Sequence, residues 1–320
     1  MLQTELEVIK SELMNRFLLR LATYVALTTT VCAVLFVVVV QLNRHAIGAC
    51  RLGDDVDSVV IGDSHTAWAI DDASVPGLRN VSLYAEGYKY TYLKLQHLLR
   101  SERQVRRIYL AFSYANLSAY YDDYITGATF RLFADRYLCV LSRTDLLELV
   151  QNSPTTAPDL FQRLIRGGLP AGIRQKCTLY GKFLSEPTAY MLQTFNFELM
   201  EKRIAEQYYS GDTLQGQSAH NLHYLEKIIH LVREHGLELV MVNTPLHPEY
   251  EKRIPARFRE MHASVLERYR IPSFDFPDLE LSDAEFLPDG DHLNYQGAMR
   301  ATRRFAEYHR AHPVLHGSGL

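Results

Sequence analysis

The chain has 320 residues, 37 Asp and Glu against 34 Lys and Arg, a net charge of −3, and 47% hydrophobic residues. That length accommodates one sizeable α/β domain with an insertion, or two small domains, with enough interior to be stable without metal or disulfide. A nucleic-acid partner is argued against, because there is no basic excess to neutralise phosphates.

The first predicted element is an apolar helix. From Leu21 to Leu42 the chain runs 22 residues without a charge. As a helix this is about 33 Å long, against a bilayer hydrocarbon core of about 30 Å. Val37-Val38-Val39-Val40 is apolar on every face, whereas helices of soluble proteins keep a polar side. Residues 21–42 are therefore expected to cross a membrane, with 1–20 as an N-terminal tail. Lys10, Arg16 and Arg20 precede the run and Arg44 and Arg51 follow it, a slight bias toward a cytoplasmic N-terminus. The run is longer than the core of a cleaved signal and lacks a small-x-small site behind it. Ile47-Gly48-Ala49-Cys50 offers an alternative, a lipoprotein box with Cys50 acylated, but Arg44 and His45 separate it from the apolar stretch. A retained anchor is the expectation. The other cysteines, Cys32, Cys139 and Cys177, have no zinc-ribbon spacing. Cys139 and Cys177 are open to pairing in an oxidising compartment, and two inert thiols are the plainer expectation.

Beyond the anchor, apolar runs bounded by turn residues mark five strands, at 57–62, 79–83, 107–112, 237–243 and 271–275. Helical periodicity fills segments between them, including Tyr92 to Leu99, Leu222 to Val232 and Phe258 to Tyr269. Gly236 is placed to end a helix just before Leu237-Glu238-Leu239-Val240-Met241-Val242. Such alternation implies a parallel sheet with helices on both faces, and open sheets of this kind bind ligands beyond the carboxyl ends of their strands. Residues 118–220 break the alternation. They read as helices at Phe130–Leu141, Arg143–Gln151, Asp159–Arg166 and Thr194–Tyr208, interrupted at Ser153-Pro154, Gly167-Gly168-Leu169-Pro170 and Gly211. The expected organisation is an α/β domain from 52–117 and 221–312, a helical insertion over 118–220, and a tail over 313–320.

Two motifs carry chemistry. Gly62-Asp63-Ser64-His65-Thr66 follows Val59-Val60-Ile61, so Ser64 sits on the turn leaving a strand, where its hydroxyl stands clear of the sheet. Late in the chain comes Asp289-Gly290-Asp291-His292-Leu293-Asn294. A serine hydroxyl attacks an ester only with a base in hydrogen-bond reach, and an imidazole titrating near neutrality suits that task. Asp289, three residues before His292, is placed to hold the ring and stabilise the imidazolium. Asp291 is its rival, although adjacent side chains usually point apart. Without Ser64, a plain surface turn would account for Asp289-Gly290-Asp291.

With these blocks in this order, the sequence resembles the SGNH (GDSL-type) hydrolase superfamily over about residues 54–117 and 221–312. The resemblance implies a three-layer, flavodoxin-like parallel sheet and a Ser64-His292-Asp289 acyl-enzyme mechanism, with no cofactor and no metal. It implies oxyanion donors as well: the Ser64 N–H, a glycine N–H after the second strand, matched by Gly87, and an asparagine after the third, for which Asn116 is nearest. The usual Gly-x-Asn-Asp is missing and Asn116 comes one residue late, so Ser113 stands as a substitute. His65 and His247 are substrate-contact candidates, with helix capping or packing, and an ordinary loop histidine, as the plain alternatives. Asp63 is expected to satisfy its own turn, and Asn294 to begin the last helix. His220, His223 and His230 lack a carboxylate or cysteine to complete a metal site and read as helix-surface residues. Tyr84, Tyr88, Tyr90, Tyr92, Tyr120, Tyr121 and Tyr124 give modest support to a sugar ligand, since such aromatics more often pack into cores.

The superfamily acts on acyl esters of carbohydrates and lipids. The expected function is therefore a single-pass, membrane-anchored esterase, its domain on the extracytoplasmic side, removing acyl (commonly acetyl) groups from an envelope carbohydrate or lipid. An O-acyltransferase of envelope glycans, using the same three residues, is the first alternative. A catalytically idle protein that binds glycans or partners is the second.

Overall fold

The computed structural model describes residues 2–125, 129–130, 133–152 and 157–314. A parallel sheet of five strands is its centre, in the order β2-β1-β3-β6-β7. The strands are β1 (Ser58–Ile61), β2 (Leu78–Asn80), β3 (Arg107–Ala111), β6 (Glu238–Val242) and β7 (Ser273–Phe274). The remaining two, β4 (Tyr209–Ser210) and β5 (Thr213–Leu214), form a separate hairpin. Each sheet strand falls in or beside its expected run; β2 starts one residue earlier and ends sooner, because Val81 and Leu83 continue as backbone bonded to Val60 and Gly62. The central strands β1 and β3 are buried at every position, as strands covered on both faces must be, which is why they read as unbroken apolar runs.

One face of the sheet packs Val59, Ile61, Ile108, Leu110 and Met241 against helix α3 (Tyr88–Ser101) and the helices Ala219–Glu234 and Ala256–Tyr269. The other packs Val60, Tyr109 and Val240 against α2 (Ser64–Ala69) and the terminal helix Tyr295–Ala311, through Ala69, Ala301 and Phe305. Full burial of one such aliphatic side chain stabilises by about 1.5–3 kcal/mol, so both layers are needed to hold the sheet.

The N-terminal helix α1 runs from Leu2 to Ala46, so the expected tail continues the same helix. It is long and apolar enough to cross a membrane, and most of its apolar stretch is exposed. Its far end is not. Val39, Val40, Asn43 and Ala46 are buried against the insertion, where Gly168 and Gly172 let the backbones approach and Asn43 Nδ2 donates to Gly168 O at 2.7 Å.

The insertion departs from expectation in three places. The stretch predicted as a helix over Phe130–Leu141 is instead a run of turns with a short 3-10 piece at Ala134–Arg136, so far as it is described. Its apolar residues converge on one point: Phe130 and Tyr137 stack on Tyr90 of α3, at ring-centroid distances of 4.3 and 4.4 Å, and compact turns allow that where a helix would hold them about 10 Å apart along its axis. At Gly167-Gly168-Leu169-Pro170 the chain does not break. The helix Ala157–Arg163 widens into a π turn, Leu164–Gly168, and continues as Leu169–Ile173, with Pro170 among the first residues of that last stretch. Arg143–Asn152 and Phe197–Tyr208 are helices close to their expected bounds, and Gly211 makes the β4-β5 turn at φ +60°. The break expected at Ser153-Pro154 and most of the 313–320 tail lie outside the described residues.

The cysteines correct another expectation. Cys50 is bonded to Cys177, leaving Cys139 a buried thiol and Cys50 no free sulfur to acylate. The Cys139–Cys177 pair was open in sequence; folding brings the end of α1 to Cys177 instead, across 127 residues of chain. Closing so long a loop restricts the unfolded chain, so reduction or Cys177→Ser is expected to lower stability by about 2–5 kcal/mol. Melting with and without reductant reads this directly; identical curves would exclude the bond.

Candidate functional site

The turn after β1 sets the site. Gly62 has φ +152°, and a Cβ there would fall 2.2 Å from the Cβ of Ala111 on β3, so only glycine permits the chain to leave the sheet this closely. Asp63 then caps α2 by accepting the His65 N–H at 3.0 Å, and Ser64 becomes the first residue of the helix. At the other end of the chain, Asn294 caps the terminal helix, accepting from Gln296 and Gly297 N–H and donating to Ala284 O and Gln193 O. Just before it, Gly290, at φ +64°, folds Asp289 back so that its Oδ1 accepts the N–H groups of Asp291 and His292.

These turns bring distant residues together. Ser64 Oγ lies 2.9 Å from His292 Nε2, and His292 Nδ1 lies 2.7 Å from Asp289 Oδ2. Asp291 Oδ2 is 3.9 Å from the same nitrogen, so Asp289 is the carboxylate in contact. Burial works to raise the Asp289 carboxyl, but the neighbouring His292 charge holds it below its ordinary value. Trp68, one turn along α2 from Ser64, lies against the His292 ring at 4.4 Å between centroids.

Asp291 belongs to a second, deeper assembly. Its Oδ1 meets His65 Nε2 at 3.0 Å, and its Oδ2 accepts from Arg203 Nε at 2.9 Å and Gln207 Nε2 at 2.8 Å. The other nitrogen of His65, Nδ1, is 3.0 Å from Asp63 Oδ1. His65 is thus held between two carboxylates and lies 4.8 Å from the His292 ring, inclined to it by 30°. Burial alone would lower its pKa, but Asp63 and Asp291 outweigh that and lift it to about 10. Asp63 moves the opposite way: burial raises it, and the His65 charge together with bonds from Tyr121 and Asn116 carries it well below the carboxylate range. His65 therefore points inward, both ring nitrogens engaged by carboxylates, and does not line the cavity at Ser64.

The other sequence candidates are placed as follows. Asn116 is buried after β3 with its amide engaged: Nδ2 donates to Asp63 Oδ2 at 2.8 Å, and Oδ1 accepts from the Ser113 N–H at 2.8 Å. Ser113 Oγ donates to the same Oδ1, so Ser113 braces Asn116 and does not replace it. Gly87 caps α3, abuts Ile125 and Asn221, and does not line the cavity at Ser64. His247 caps the helix Pro248–Arg253, stacks on Phe195 at 3.6 Å and pairs with Asp283, and it does not line the cavity at Ser64. His220, His223 and His230 are exposed on one helix. His65, Asp291 and His292 present ligand atoms within 4.8 Å of one another, but these atoms are already joined to protein partners.

Ser64 and His292 open into a cavity of about 210 Å³ walled by Trp68, Tyr84, Ala85, Tyr120, Tyr121, Tyr124, Tyr190 and Arg203. Most of the aromatic wall comes from 118–220, so the insertion forms one side of the mouth. A larger cavity of about 600 Å³, between Asn243–Leu246 and Asp275–Phe286, contains none of these groups. Sequence reading missed Trp68, Tyr190 and Arg203; only Trp68, four residues after Ser64, carried a signal, its helical spacing.

Ala85 was missed as well. It holds φ +59°, a conformation unfavourable for a residue with a Cβ, and lines the cavity where Gly87 was expected to. The next residue locks the turn: buried Glu86 pairs with Lys94 Nζ at 2.7 Å and accepts from Thr91 and Tyr137. Ala85→Gly is expected to stabilise the fold by about 1 kcal/mol, since it removes the left-handed strain at a small entropic cost. Denaturant midpoints measure it, and a loss above about 1 kcal/mol would rule the strain out.

A family model matches residues 198–311, which takes in Asp289 and His292 and leaves Ser64 outside. No curated protein sequence matches the chain. Among solved structures, the chain is similar to one from Streptococcus pneumonia provisionally described as a platelet activating factor, at 12% identity and a TM-score of 0.35, covering 90% of this chain and 98% of that one.

Proposed function

We propose that this protein is a membrane-anchored serine esterase of the SGNH type, with Ser64 as nucleophile, His292 as base and Asp289 orienting the base. The observation that carries the reading is the continuous Ser64-His292-Asp289 contact, 2.9 and 2.7 Å, made by residues 228 positions apart. The strand order supports it: β2-β1-β3-β6-β7 is the flavodoxin-like order, and Ser64 and Asn116 follow the two strands, β1 and β3, flanking its switch point. In this reading Ser64 attacks the ester carbonyl, His292 takes its proton, and the N–H groups of Ser64 and Ala85 steady the oxyanion. Water then releases the acyl group through the same base.

The wall that surrounds the serine supports a carbohydrate substrate in this reading. Aromatic faces with hydroxyl rims favour an acylated carbohydrate over a bare lipid chain. Residues 21–42 would hold the domain at the membrane, and the Cys50–Cys177 bond favours the extracytoplasmic side, where disulfides persist. Capture by a fluorophosphonate probe tests the chemistry, and hydrolysis of a small acetyl ester with and without a glycan acceptor separates an esterase from a transferase. An idle glycan-binding protein is a second reading, favoured by one observation: Asn116 gives its amide to Asp63 and leaves the oxyanion a donor short. An intact, folded chain that takes up no probe would favour it over the esterase.

A further inference from the structure

The insertion and the anchor enclose a cavity of about 350 Å³ that shares no residue with the one at Ser64. Phe36, Val37 and Val40 of α1 form one wall, and Leu146 and Leu147 of the helix Arg143–Asn152 form the other. Arg44 and Arg143 lie on the same cavity. The first wall belongs to the apolar run 21–42, so it stands at hydrocarbon depth when that run crosses a bilayer. Arg44 follows Val40 by about 6 Å of helical rise, the level of lipid head groups.

Three features specify the occupant. Leu147 is 61% exposed beside the membrane-spanning segment, while Asp145 and Glu148 of the same helix are drawn away to Lys89 on α3, at 3.1 and 3.0 Å. The helix thus carries an exposed apolar edge at Leu147, while its acidic residues are tied to α3. Arg44 donates to Leu141 O at 2.7 Å, and neither it nor Arg143 has a carboxylate partner among the described residues. Two guanidiniums at head-group level suit a phosphodiester, and a cationic head amine would add repulsion to them.

We propose that this groove binds one anionic phospholipid, an acyl chain between α1 and the Arg143–Asn152 helix and the phosphate against Arg44 and Arg143. The insertion is then seated on the membrane surface by the lipid as well as by the anchor. This inference is independent of the chemistry at Ser64 and rests only on the anchor crossing a bilayer. The test uses the full chain in nanodiscs containing equal phosphatidylglycerol and phosphatidylcholine, followed by native mass spectrometry of the released protein. One retained phosphatidylglycerol per chain, preferred roughly five- to ten-fold, is expected, with the preference lost in Arg143→Glu and reduced in Arg143→Gln. Val37→Trp, which fills the groove, should displace either lipid while the melting temperature stays near that of the parent. Equal retention of both lipids, no retention, a preference untouched by Arg143→Glu, or a dimer in place of a lipid adduct would overturn the proposal. Sedimentation with vesicles of either composition reports separately whether the anchor inserts.

Discussion

Ser64→Ala is expected to abolish fluorophosphonate labelling and to lower turnover of a small acetyl ester by about 10⁴-fold or more. Removing the nucleophile of such a unit leaves only what binding and the oxyanion donors supply. Asp289→Asn should cost about 10⁴-fold in kcat with little change in KM, because the amide favours the wrong His292 tautomer while the geometry survives. Asp291→Asn distinguishes the two carboxylates. Asp291 sits 3.9 Å from His292 Nδ1 and is bonded to His65, Arg203 and Gln207, so its loss should weaken the fold more than the chemistry. Labelling that persists in Ser64→Ala, or a larger kcat loss in Asp291→Asn than in Asp289→Asn in folded protein, would end the proposed mechanism.

His65→Leu should destabilise the fold by about 3–5 kcal/mol, because it strands Asp63 and Asp291 as buried carboxylates that lose their shared cation. The same residue shapes the pH dependence of stability. His65 has a folded pKa near 10 against 6.5 unfolded, so its contribution is complete below about 6.5 and is lost as pH climbs from there through about 10. Asp63 is depressed on folding, so its contribution is complete above the unfolded carboxylate value of about 4 and is lost as pH falls toward its folded one. Stability should therefore peak between roughly pH 4 and 6.5 as far as this pair is concerned, and the alkaline decline should vanish in His65→Leu. Chemical denaturation at a series of pH values measures both limbs. An unchanged alkaline limb in the variant would mean that His65 is not the buried cation.

The two predictions are coupled through one contact. His65 stacks on His292, so the ring held between Asp63 and Asp291 lies beside the one that accepts the Ser64 proton in the proposed mechanism. Asp63 and Asp291 keep that neighbouring charge balanced, and Arg203 ties the assembly to the Phe197–Tyr208 helix of the insertion. The insertion is thus part of the site by construction: it supplies Arg203 and Gln207 below the histidines, and Tyr120, Tyr121, Tyr124 and Tyr190 around the mouth.

Sequence alone determined the elements whose physics is local. Buried strands announce themselves by unbroken Val, Ile and Leu runs, the apolar α1 by its length without charge, and the capping roles of Asp63 and Asn294 by their place before a helix. The same reading singled out Ser64, Asp289 and His292, since a residue's position on a strand exit or in an Asp-x-x-His turn is set by neighbours a few places away. Tertiary structure decided everything that depended on which way a side chain turns and what it meets. It brought His65 onto Asp63 and Asp291, His247 onto Asp283, Asn116 onto Asp63, Ala85 to the cavity at Ser64, and Cys50 rather than Cys139 to Cys177. Each of those outcomes joins groups far apart in the chain, and the energies that select between partners, burial of a charge or closure of a loop, exist only after the chain has brought them together.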